Sequence, residues 1–356
     1  MENNVIINPT TICINFPSSP QNEIHRDYVL DTIDQMLKES SLVVVGGQEG
    51  IGKTTVLTQY ARRHPNDTIS CYINANSKIG YDPDSIRLII AEQVFWIITK
   101  KFYEEDSIDT FTFNRLIYRL ERMAKNRGMP YVFMVDGIDD IPKEDNKYRS
   151  TILRDILPIG QQWLKCLFSG TEIAKAPEIN HLCTSWMVPF LGENEVREYF
   201  HDIKLNPEQL SDIKQICKGI PSRISSVKRL LNAGKTIEEI IDGTAGGIVD
   251  FVGMEFQTTG KLPEQMSQLM ALIAFSLSTF SIQDLSIMVG LDQSQVLSDI
   301  NNSVLLQKDV RSGAVSFISN LHRKHAQAML SDRRQWAIDR IIEYLGVCLS
   351  NSLKNE

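Results

Sequence analysis

The sequence predicts an α/β domain with a parallel sheet, then a small helical domain, then a winged-helix-like domain. Short apolar runs rich in β-branched residues alternate with helical patterns up to residue 190, which is typical of parallel strands covered by helices on both faces. Beyond residue 190 the strand-like runs stop and short helical patterns follow. Two strand-like runs on either side of "RSG", residues 311–313, then indicate a hairpin behind several helices. With 356 residues, the chain is long enough for two or three domains.

The elements of the first domain, residues 23–190, can be assigned in chain order. A polar segment at residues 1–22 contains Pro9, Pro17 and Pro20 and is predicted to be an irregular lead-in. Apolar residues at helical spacing predict helices at 23–40, 52–64, 84–105 and 111–128. Continuous apolar runs predict strands at 41–47, 68–75, 130–136, 163–170 and 185–190.

The remaining residues are predicted to form two smaller domains. Residues 191–245 have the pattern of short helices, and "DGTAGG" at 242–247 is the best linker candidate. Residues 246–330 hold three or four short helices before the hairpin, which is the order of elements in a winged helix. One amphipathic helix is predicted for residues 331–356.

Composition and charge restrict the kinds of protein that this chain can be. The net charge of −7 gives the chain no overall attraction to nucleic acid or to anionic membranes. Its six cysteines include no CxxC pair, and we interpret them as buried side chains in a reducing compartment. The start lacks a secretory signal, and the longest apolar stretch, 269–277, is about half as long as a membrane-spanning helix. We therefore expect a cytoplasmic protein without a membrane segment.

The stretch "VVVGGQEGIGKTT", residues 43–55, satisfies the P-loop pattern of phosphate-binding proteins. A buried strand precedes it and a helical pattern follows it, which is the context that the pattern requires. Glycines allow backbone N–H groups to converge on phosphates at the positive end of a helix. Lys53 is predicted to reach the β- and γ-phosphates, Thr54 to ligate Mg²⁺, and Thr55 to add a hydroxyl near the α-phosphate. The predicted nucleotide-binding residues here are Gly47, Glu49, Gly50, Ile51, Gly52, Lys53, Thr54 and Thr55.

A carboxylate that could hold the magnesium ion is supplied by "VFMVDGIDDI", residues 132–141. Four apolar residues place Asp136 at the carboxyl end of a buried strand, where α/β sheets bind ligands. We predict that Asp136 holds Mg²⁺ through water, opposite Thr54. One of Asp139 and Asp140 is predicted to orient or deprotonate the attacking water, and a loop or helix-capping pair is the alternative. The candidate catalytic residues are therefore Lys53, Asp139 and Asp140.

The order of the motifs favours an adenine nucleotide. A full strand, 68–75, lies between the P-loop and the acidic strand in the sequence. This order resembles the additional-strand class of P-loop proteins, which includes the AAA+ and STAND ATPases. No NKxD motif for reading guanine is present in the sequence. We therefore expect Mg²⁺ with ATP or ADP as the cofactor.

Several stretches together resemble the STAND class of switch ATPases, the NACHT and NB-ARC proteins. "GGQEGIGKTT" is similar to their P-loop, and "VFMVDGIDDI" is close to the NACHT form of the acidic strand. "EIHRDYVLDTIDQML" resembles the helix before their P-loop, with His25-Arg26 in place of Gly-Arg. "MVPFLGENEVREYF" (187–200) and "CKGIPSRI" (217–224) resemble the exit from their nucleotide domain and the Gly-x-Pro turn of their helical domain. The resemblance covers about residues 22–330.

The resemblance implies two further nucleotide contacts in the helical domain. The proline of the family's Gly-x-Pro turn packs near the adenine, which implies Pro221 in this chain, and a plain loop proline is the alternative. Arg223 is the candidate for the arginine that senses the γ-phosphate in AAA+ relatives. For Arg223 the alternative is a solvent-exposed arginine at the start of a helix.

The sequence also departs from the family pattern at two places. The strand after the acidic one usually ends in Thr-Ser-Arg, but this chain has "LFSGTE", so Ser169 or Thr171 is the candidate substitute. Many relatives carry a winged-helix histidine that contacts the β-phosphate of ADP, and Ser319 stands near that position here. His322 follows three residues later, and we interpret it as an exposed helix histidine with a nucleotide contact as the alternative.

The resemblance implies a conformational switch with slow Mg²⁺-dependent ATP hydrolysis. In such proteins ADP keeps the domains packed in a closed form, and ATP exchange opens them and exposes a surface for homo-oligomerisation. Bacterial relatives typically act in defence or signalling. STAND proteins usually add an effector domain and a repeat sensor, for which 22 leading residues and one final helix leave no room. We therefore expect a truncated chain or a separate effector protein.

A DNA-binding ATPase, either a STAND-type transcription regulator or an AAA+ initiator-like protein, is the main alternative. The second helix of its winged helix would then read DNA. That stretch, "DQSQVLSDINN" (292–302), holds two aspartates and no lysine or arginine, and residues 249–330 hold seven acidic and five basic side chains. These charges favour a packing role over a DNA contact. A metabolic kinase or dedicated hydrolase is a weaker third hypothesis, because no arginine-rich lid is present.

Overall fold

Continuous apolar runs form the strands of a parallel sheet in the computed structural model. The structure describes residues 23–75, 78–244, 250–258, 260, 262–308 and 313–352. The predicted lead-in 1–22, residues 245–247 of the predicted linker and residues 311 and 312 of the predicted turn lie outside this part. The chain divides into two compact units, Met1–Phe190 and Leu191–Glu356. Among the described residues, no helix combines the length and apolar character that crossing a membrane requires.

Within the described residues, the sheet of the first unit has five strands, all of them parallel. They are β1 (Leu42–Gly46), β2 (Thr68–Tyr72), β3 (Tyr131–Asp136), β4 (Leu164–Ser169) and β5 (Cys183–Met187). Their spatial order is β2-β3-β4-β1-β5, so β4 separates the strand before the P-loop from the acidic strand. The parallel α/β sheet that the sequence predicts is therefore present.

Helices cover both faces of this sheet. They are α1 (Asp27–Glu39), α2 (Lys53–Arg63), α3 (Pro83–Thr99), α4 (Thr110–Arg127) and α5 (Asn146–Thr151), the last continued by a π-helical turn at Ile152–Ile156. Leu42 and Val44 of β1 pack in one apolar core with α3 and α4. Val43 and Val45 point to the other face and pack with α1 and α2. This burial on both sides explains why the strands are apolar throughout instead of alternating.

Three elements have bounds that differ from the sequence predictions. The helix predicted at 84–105 ends at Thr99, because Lys100 takes the left-handed conformation with φ of 58°. The strand predicted at 68–75 ends at Tyr72. The strand predicted at 185–190 is instead Cys183–Met187, with Leu42 opposite Cys183. Val188 still donates a backbone hydrogen bond to Gly46 beyond the end of the strand.

The second unit, in the part that the structure describes, is helical with one small antiparallel sheet. Its helices are α6 (Glu193–Tyr199), α7 (Pro207–Cys217), α8 (Pro221–Asn232), α9 (Ile237–Thr244), α10 (Phe251–Thr258), α11 (Glu264–Phe275), α12 (Ile282–Val289), α13 (Gln293–Asn302), α14 (Asn320–Met329) and α15 (Arg334–Ser352). Its strands are β6 (Phe280–Ser281), β7 (Leu306–Lys308) and β8 (Ala314–Phe317), in the order β6-β8-β7. Buried residues of α11, α12, α13 and the sheet share one apolar core.

Candidate functional site

The glycine-rich loop between β1 and α2 has a backbone that only glycine adopts easily. Gly47, Gly50 and Gly52 have φ angles of 140°, 82° and 92°, in the region that L side chains rarely occupy. A Cβ atom on Gly47 would lie 2.8 Å from Cγ2 of Ile51, whose side chain is buried in the core. The loop therefore wraps tightly over Ile51. It leads directly into the first turn of α2, whose N–H groups have no partners within the helix.

Lys53 begins α2 and bends back toward the loop. Its Nζ donates hydrogen bonds to the carbonyl oxygens of Gly47, at 2.8 Å, and Gln48, at 3.3 Å. The ammonium group therefore lies beside the backbone that the glycines shape. A positive charge and a row of N–H donors around one turn form an arrangement that suits phosphate groups. Glu49, which is exposed, and Thr55, which is partly buried, lie on the same loop and first helical turn.

Asp136 ends β3 and contacts Thr54 in the first turn of α2. The Thr54 hydroxyl donates to Oδ2 of Asp136 at 2.6 Å. The Ser169 hydroxyl, at the end of β4, donates to Oδ1, and it also accepts the backbone N–H of Gly137 at 3.4 Å. Asp136 is only 3% exposed. The structure thus brings together two residues that lie 82 positions apart in the sequence and that are predicted to face one magnesium ion.

The charge of Asp136 is incompletely compensated by its surroundings. Burial raises the pKa of the Asp136 carboxyl group, and the hydrogen bonds from Ser169 and Thr54 and the charge of Lys53 offset this only in part. Both hydroxyl donors are neutral groups. A buried carboxylate of this kind gains from a nearby cation, because a cation compensates the charge that neutral donors leave.

The residues present fit a magnesium ion bound with a nucleotide. Mg²⁺ prefers oxygen ligands and is usually bound by one or two protein oxygens together with the phosphates of its substrate. Thr54 and Asp136 supply a hydroxyl and a carboxylate oxygen at 2.6 Å from each other, next to a loop that is shaped for phosphate. Ser169 orients the carboxylate from its other side.

The two members of the acidic pair, Asp139 and Asp140, have different surroundings. Both lie in the single 3₁₀ turn Ile138–Asp140 after β3. Oδ2 of Asp139 accepts the backbone N–H groups of Thr171, at 2.6 Å, and Glu172, at 2.9 Å, which ties this side chain to the segment after β4. Asp140 is exposed. That one of the two acts on water stays a prediction.

Thr171, a candidate substitute for the family's arginine, and Tyr72 lie at this edge of the sheet in contacts that the sequence did not reveal. The Thr171 hydroxyl accepts the N–H of Gly47 at 3.2 Å and lies 3.3 Å from the Gly47 carbonyl oxygen, to which it can donate. Tyr72 ends β2 and stands opposite Asp136 in the strand pairing. Partial burial of its ring, and then the charges of Asp136 and Asp140, raise the pKa of Tyr72 to about 12. Polar residues at the ends of parallel strands were the available signal for Tyr72.

Pro221 and Arg223 lie in the second unit, on the first turn of α8. Pro221 is the first residue of that helix, with Ile220 as the N-cap, and Arg223 is partly buried. Their proposed contacts with adenine and with the γ-phosphate stay predictions.

The expectation that His322 is an exposed helix histidine is wrong. His322 is 3% exposed. Its Nδ1 lies 2.7 Å from the Ser319 hydroxyl, and its Nε2 lies 2.9 Å from Oε2 of Glu255. Ser319 caps the start of α14, and Glu255 comes from α10. The sequence could not reveal this site, because Glu255 lies 67 positions from His322.

Comparison with solved structures identifies the fold. No protein-family model and no curated protein matches the sequence. The chain resembles a signal transduction ATPase with numerous domains (STAND) with a tetratricopeptide repeat sensor from Pyrococcus horikoshii, with a TM-score of 0.58 and 13% identity. The match covers 95% of this chain and 47% of that chain.

The chain has the fold of a STAND-class P-loop ATPase. This confirms the predicted fold of the first domain and its resemblance to the STAND ATPases. The chain spans about half the length of the Pyrococcus horikoshii protein (47%).

Two further solved structures align less closely over most of the chain. The Walker-type ATPase of Pyrococcus abyssi has a TM-score of 0.46 and 11% identity, over 89% of this chain and 99% of that chain. The ORC1 protein of Aeropyrum pernix, solved in complex with DNA, has a TM-score of 0.42 and 15% identity, over 88% of this chain and 94% of that chain. The assignment of the fold rests on the STAND protein alone.

Proposed function

We propose that this protein is a conformational switch that binds Mg²⁺ with ATP or ADP and hydrolyses ATP slowly. The observation that carries the proposal is the 2.6 Å contact between the Thr54 hydroxyl and the buried Asp136 carboxylate, beside a glycine-rich loop. Thr54 lies in the first turn of α2, which follows β1, and Asp136 ends β3; β1 and β3 are not neighbours in the sheet. A hydroxyl beside a buried carboxyl group whose pKa is raised is more typical of a functional site than of a purely structural loop.

Each residue of the site has a role in this proposal. The backbone of residues 47–55 and the ammonium group of Lys53 bind the phosphates. Thr54 and Asp136 hold Mg²⁺, which supplies positive charge to the phosphate oxygens when bound. One of Asp139 and Asp140 orients or deprotonates the attacking water. Pro221 packs near the adenine, and Arg223 senses the γ-phosphate.

A switch is favoured over a metabolic enzyme by the kind of protein that the chain resembles. The Pyrococcus horikoshii protein is named as a signal transduction ATPase. ATP and ADP can shift a conformational equilibrium only if they contact the two conformations differently, and the γ-phosphate is the group that distinguishes them. We propose that the ATP-bound form self-associates and acts through a separate effector protein, in signalling or bacterial defence within the cytoplasm.

The second half of the second unit is proposed to be a winged-helix module that packs and does not read DNA. The support is the order of α12, α13 and the β7–β8 hairpin. Helix α13, Gln293–Asn302, contains no lysine or arginine and carries Asp299 on its surface. A helix that faces phosphates carries positive charge in most DNA-binding proteins. Retention of a DNA duplex by the chain in a gel shift at low salt would favour the DNA-binding alternative.

The proposal is tested by nucleotide titration and by size measurement. Calorimetry is expected to show ADP and ATP binding to the wild-type chain with Mg²⁺, and Lys53→Ala is expected to weaken it roughly 100-fold through loss of charge-assisted hydrogen bonds. Lys38→Ala, at an exposed lysine on α1, is the matched control and should bind like wild type. Light scattering is expected to show a larger molar mass of the protein with a non-hydrolysable ATP analogue than with ADP. An unchanged monomer with both nucleotides would contradict the switch.

A further inference from the structure

We propose that the two members of the acidic pair, Asp139 and Asp140, have different roles. Asp139 is a positioning residue that fixes the segment after β4 against the P-loop, and Asp140 alone is directed at the attacking water. This inference rests on the proposed ATP hydrolysis, because it divides the roles within that site. It is carried by the hydrogen bonds of Asp139 and by the contact of Thr171 with Gly47.

Neither carboxylate oxygen of Asp139 is placed to take a proton from water. Oδ2 accepts two backbone N–H groups, those of Thr171 at 2.6 Å and Glu172 at 2.9 Å, which occupy its lone pairs. Oδ1 is buried and has no hydrogen-bond partner within the part of the chain that the structure describes. A general base must come within hydrogen-bond reach of the water that it deprotonates. The geometry of Asp139 is that of an anchor for the backbone at residues 171 and 172.

The backbone after β4 is shaped around this carboxylate. Gly170 has a φ of 150°, and a Cβ atom at that position would lie 2.6 Å from Oδ2 of Asp139 and 2.8 Å from Cγ2 of Ile173. Any residue with a side chain at position 170 would therefore displace the carboxylate or the loop. Gly170 also donates its N–H to the carbonyl oxygen of Val45 at 3.0 Å. The close approach thus sits directly beside the strand that leads into the P-loop.

Thr171 links Asp139 to the P-loop. Its hydroxyl accepts the N–H of Gly47 at 3.2 Å and lies 3.3 Å from the Gly47 carbonyl oxygen. The same carbonyl oxygen accepts a hydrogen bond from Nζ of Lys53 at 2.8 Å. We call Asp139, Thr171 and Gly47 the Asp139 clamp. Through it, a side chain just beyond the end of β3 sets the position of the first P-loop glycine and of the lysine beside it.

Asp140 is the member of the pair that we assign to the chemistry. Its side chain is exposed, and its backbone N–H is held by the carbonyl oxygen of Gly137 at 3.0 Å. Asp140 lies in the 3₁₀ turn Ile138–Asp140, just after Asp136 at the end of β3, so the two carboxylates share one end of the sheet. Asp140 therefore combines a carboxylate that water can reach with a place near the candidate magnesium ligand.

The test compares amide and methyl replacements at both positions. Asp139→Asn keeps a side-chain carbonyl oxygen for the two N–H donors, so single-turnover ATP hydrolysis is expected within about fivefold of wild type. Asp139→Ala is expected to slow hydrolysis about 100-fold through misplacement of the loop. Asp140→Asn and Asp140→Ala are both expected to slow it about 100-fold or more, because each removes the carboxylate.

Substitutions at Thr171 separate positioning from folding. Thr171→Val removes only the hydroxyl and is expected to slow hydrolysis as Asp139→Ala does, whereas Thr171→Ser should restore the wild-type rate. The double variant Asp139→Ala with Thr171→Val is expected to be no slower than either single variant, since both break one clamp. If Asp139→Ala does not fold, as judged by circular dichroism, the Thr171 pair carries the test.

Hydrogen exchange of the Gly47 amide gives a readout without nucleotide. Exchange is expected to accelerate in Asp139→Ala and Thr171→Val but not in Asp139→Asn. Hydrolysis by Asp139→Asn as slow as that of Asp139→Ala, with unchanged Gly47 exchange, would overturn the inference. Unchanged exchange in Asp139→Ala would also overturn it. A wild-type chain that binds no nucleotide would instead contradict the proposed function, and the exchange data would still decide for or against the clamp.

Discussion

Asp136 in the first unit and Glu255 in the second are both buried carboxylates, but their partners differ in charge. Asp136 accepts from the hydroxyl groups of Thr54 and Ser169. Glu255 accepts from the guanidinium of Arg229 through both oxygens, at 2.9 and 3.0 Å, and from Nε2 of His322 at 2.9 Å. An ionised carboxylate only accepts hydrogen bonds, so Nε2 of His322 carries the proton in this contact.

The pKa values of the two carboxyl groups move in opposite directions. Burial raises the pKa of Asp136, and its neutral donors do not cancel the effect. Burial also acts to raise the pKa of Glu255, but the hydrogen bonds and charges of His322 and Arg229 outweigh it and hold the pKa below its usual value.

The donors of each carboxylate distinguish a candidate binding site from a structural contact. The Glu255 cluster, which we define as Arg229, Glu255 and His322, compensates its own charge and joins α8, α10 and α14. The Asp136 site lacks that compensation, so bringing in a cation would be favourable there. We interpret the buried carboxylate with neutral donors as a candidate cation site and the one with cationic donors as part of the scaffold.

The largest effect is expected at the saturated carboxylate. Glu255→Gln leaves the Arg229 guanidinium without its charge partner, and we expect the free energy of unfolding to fall by about 3 kcal/mol. This value is at the low end for a buried pair, because the Arg229 side chain is 25% exposed. Urea unfolding measures it. Glu238→Gln, at an exposed glutamate of α9, is the matched control and should change stability little.

A smaller effect of opposite sign is expected at the uncompensated carboxylate. Asp136→Asn removes a buried charge and keeps the side-chain shape, so without ligands at neutral pH the free energy of unfolding should rise by about 1 kcal/mol. Thermal unfolding is then expected at a midpoint about 2–4 °C higher. A clear loss of stability in this variant would mean that Thr54 and Ser169 compensate the charge fully, and the contrast with Glu255 would be lost.

The smallest effect is the pH dependence of the free energy of unfolding. As the pH rises, ionisation of Glu255 should stabilise the fold and ionisation of Asp136 should destabilise it. Because the pKa of Glu255 is lowered on folding, its contribution is present above the unfolded value of about 4.3 and is lost as the pH falls further. The pKa of Asp136 is raised on folding, so the advantage of Asp136→Asn over wild type should vanish below about pH 4 and grow as the pH rises. Unfolding curves of both variants and wild type across this range test the two signs. Parallel curves would contradict them.

The sequence was sufficient for features that depend on local pattern. The P-loop glycines, the strand before them and the acidic strand ending at Asp136 all follow from residues within short stretches. Contacts between distant segments were not accessible, because nothing in the pattern around Thr171 indicates that its hydroxyl lies against Gly47. Glu255 is an acidic residue inside the apolar stretch "FVGMEF", which indicates a buried carboxylate. This pattern does not identify His322 as its partner.

The wrong predictions also concern features that a local sequence pattern does not determine. The interpretation of His322 as exposed fails because helical spacing does not show which distant carboxylate faces a helix. The fifth strand begins two residues earlier than predicted, at Cys183, and ends at Met187, although the apolar stretch continues to Phe190. The contacts proposed for Pro221 and Arg223 depend on a nucleotide and stay predictions.

The central claim is that Thr54 and Asp136 together hold a magnesium ion on a bound adenine nucleotide. Calorimetric titration of ATP, with and without Mg²⁺, into wild type, Thr54→Val and Asp136→Asn tests it most directly. We expect Mg²⁺ to tighten binding to wild type at least about tenfold and to have little effect on either variant, since Thr54→Val lacks the hydroxyl ligand and Asp136→Asn lacks the carboxylate charge. Equal tightening by Mg²⁺ in all three proteins, or no nucleotide binding by wild type, would contradict the claim.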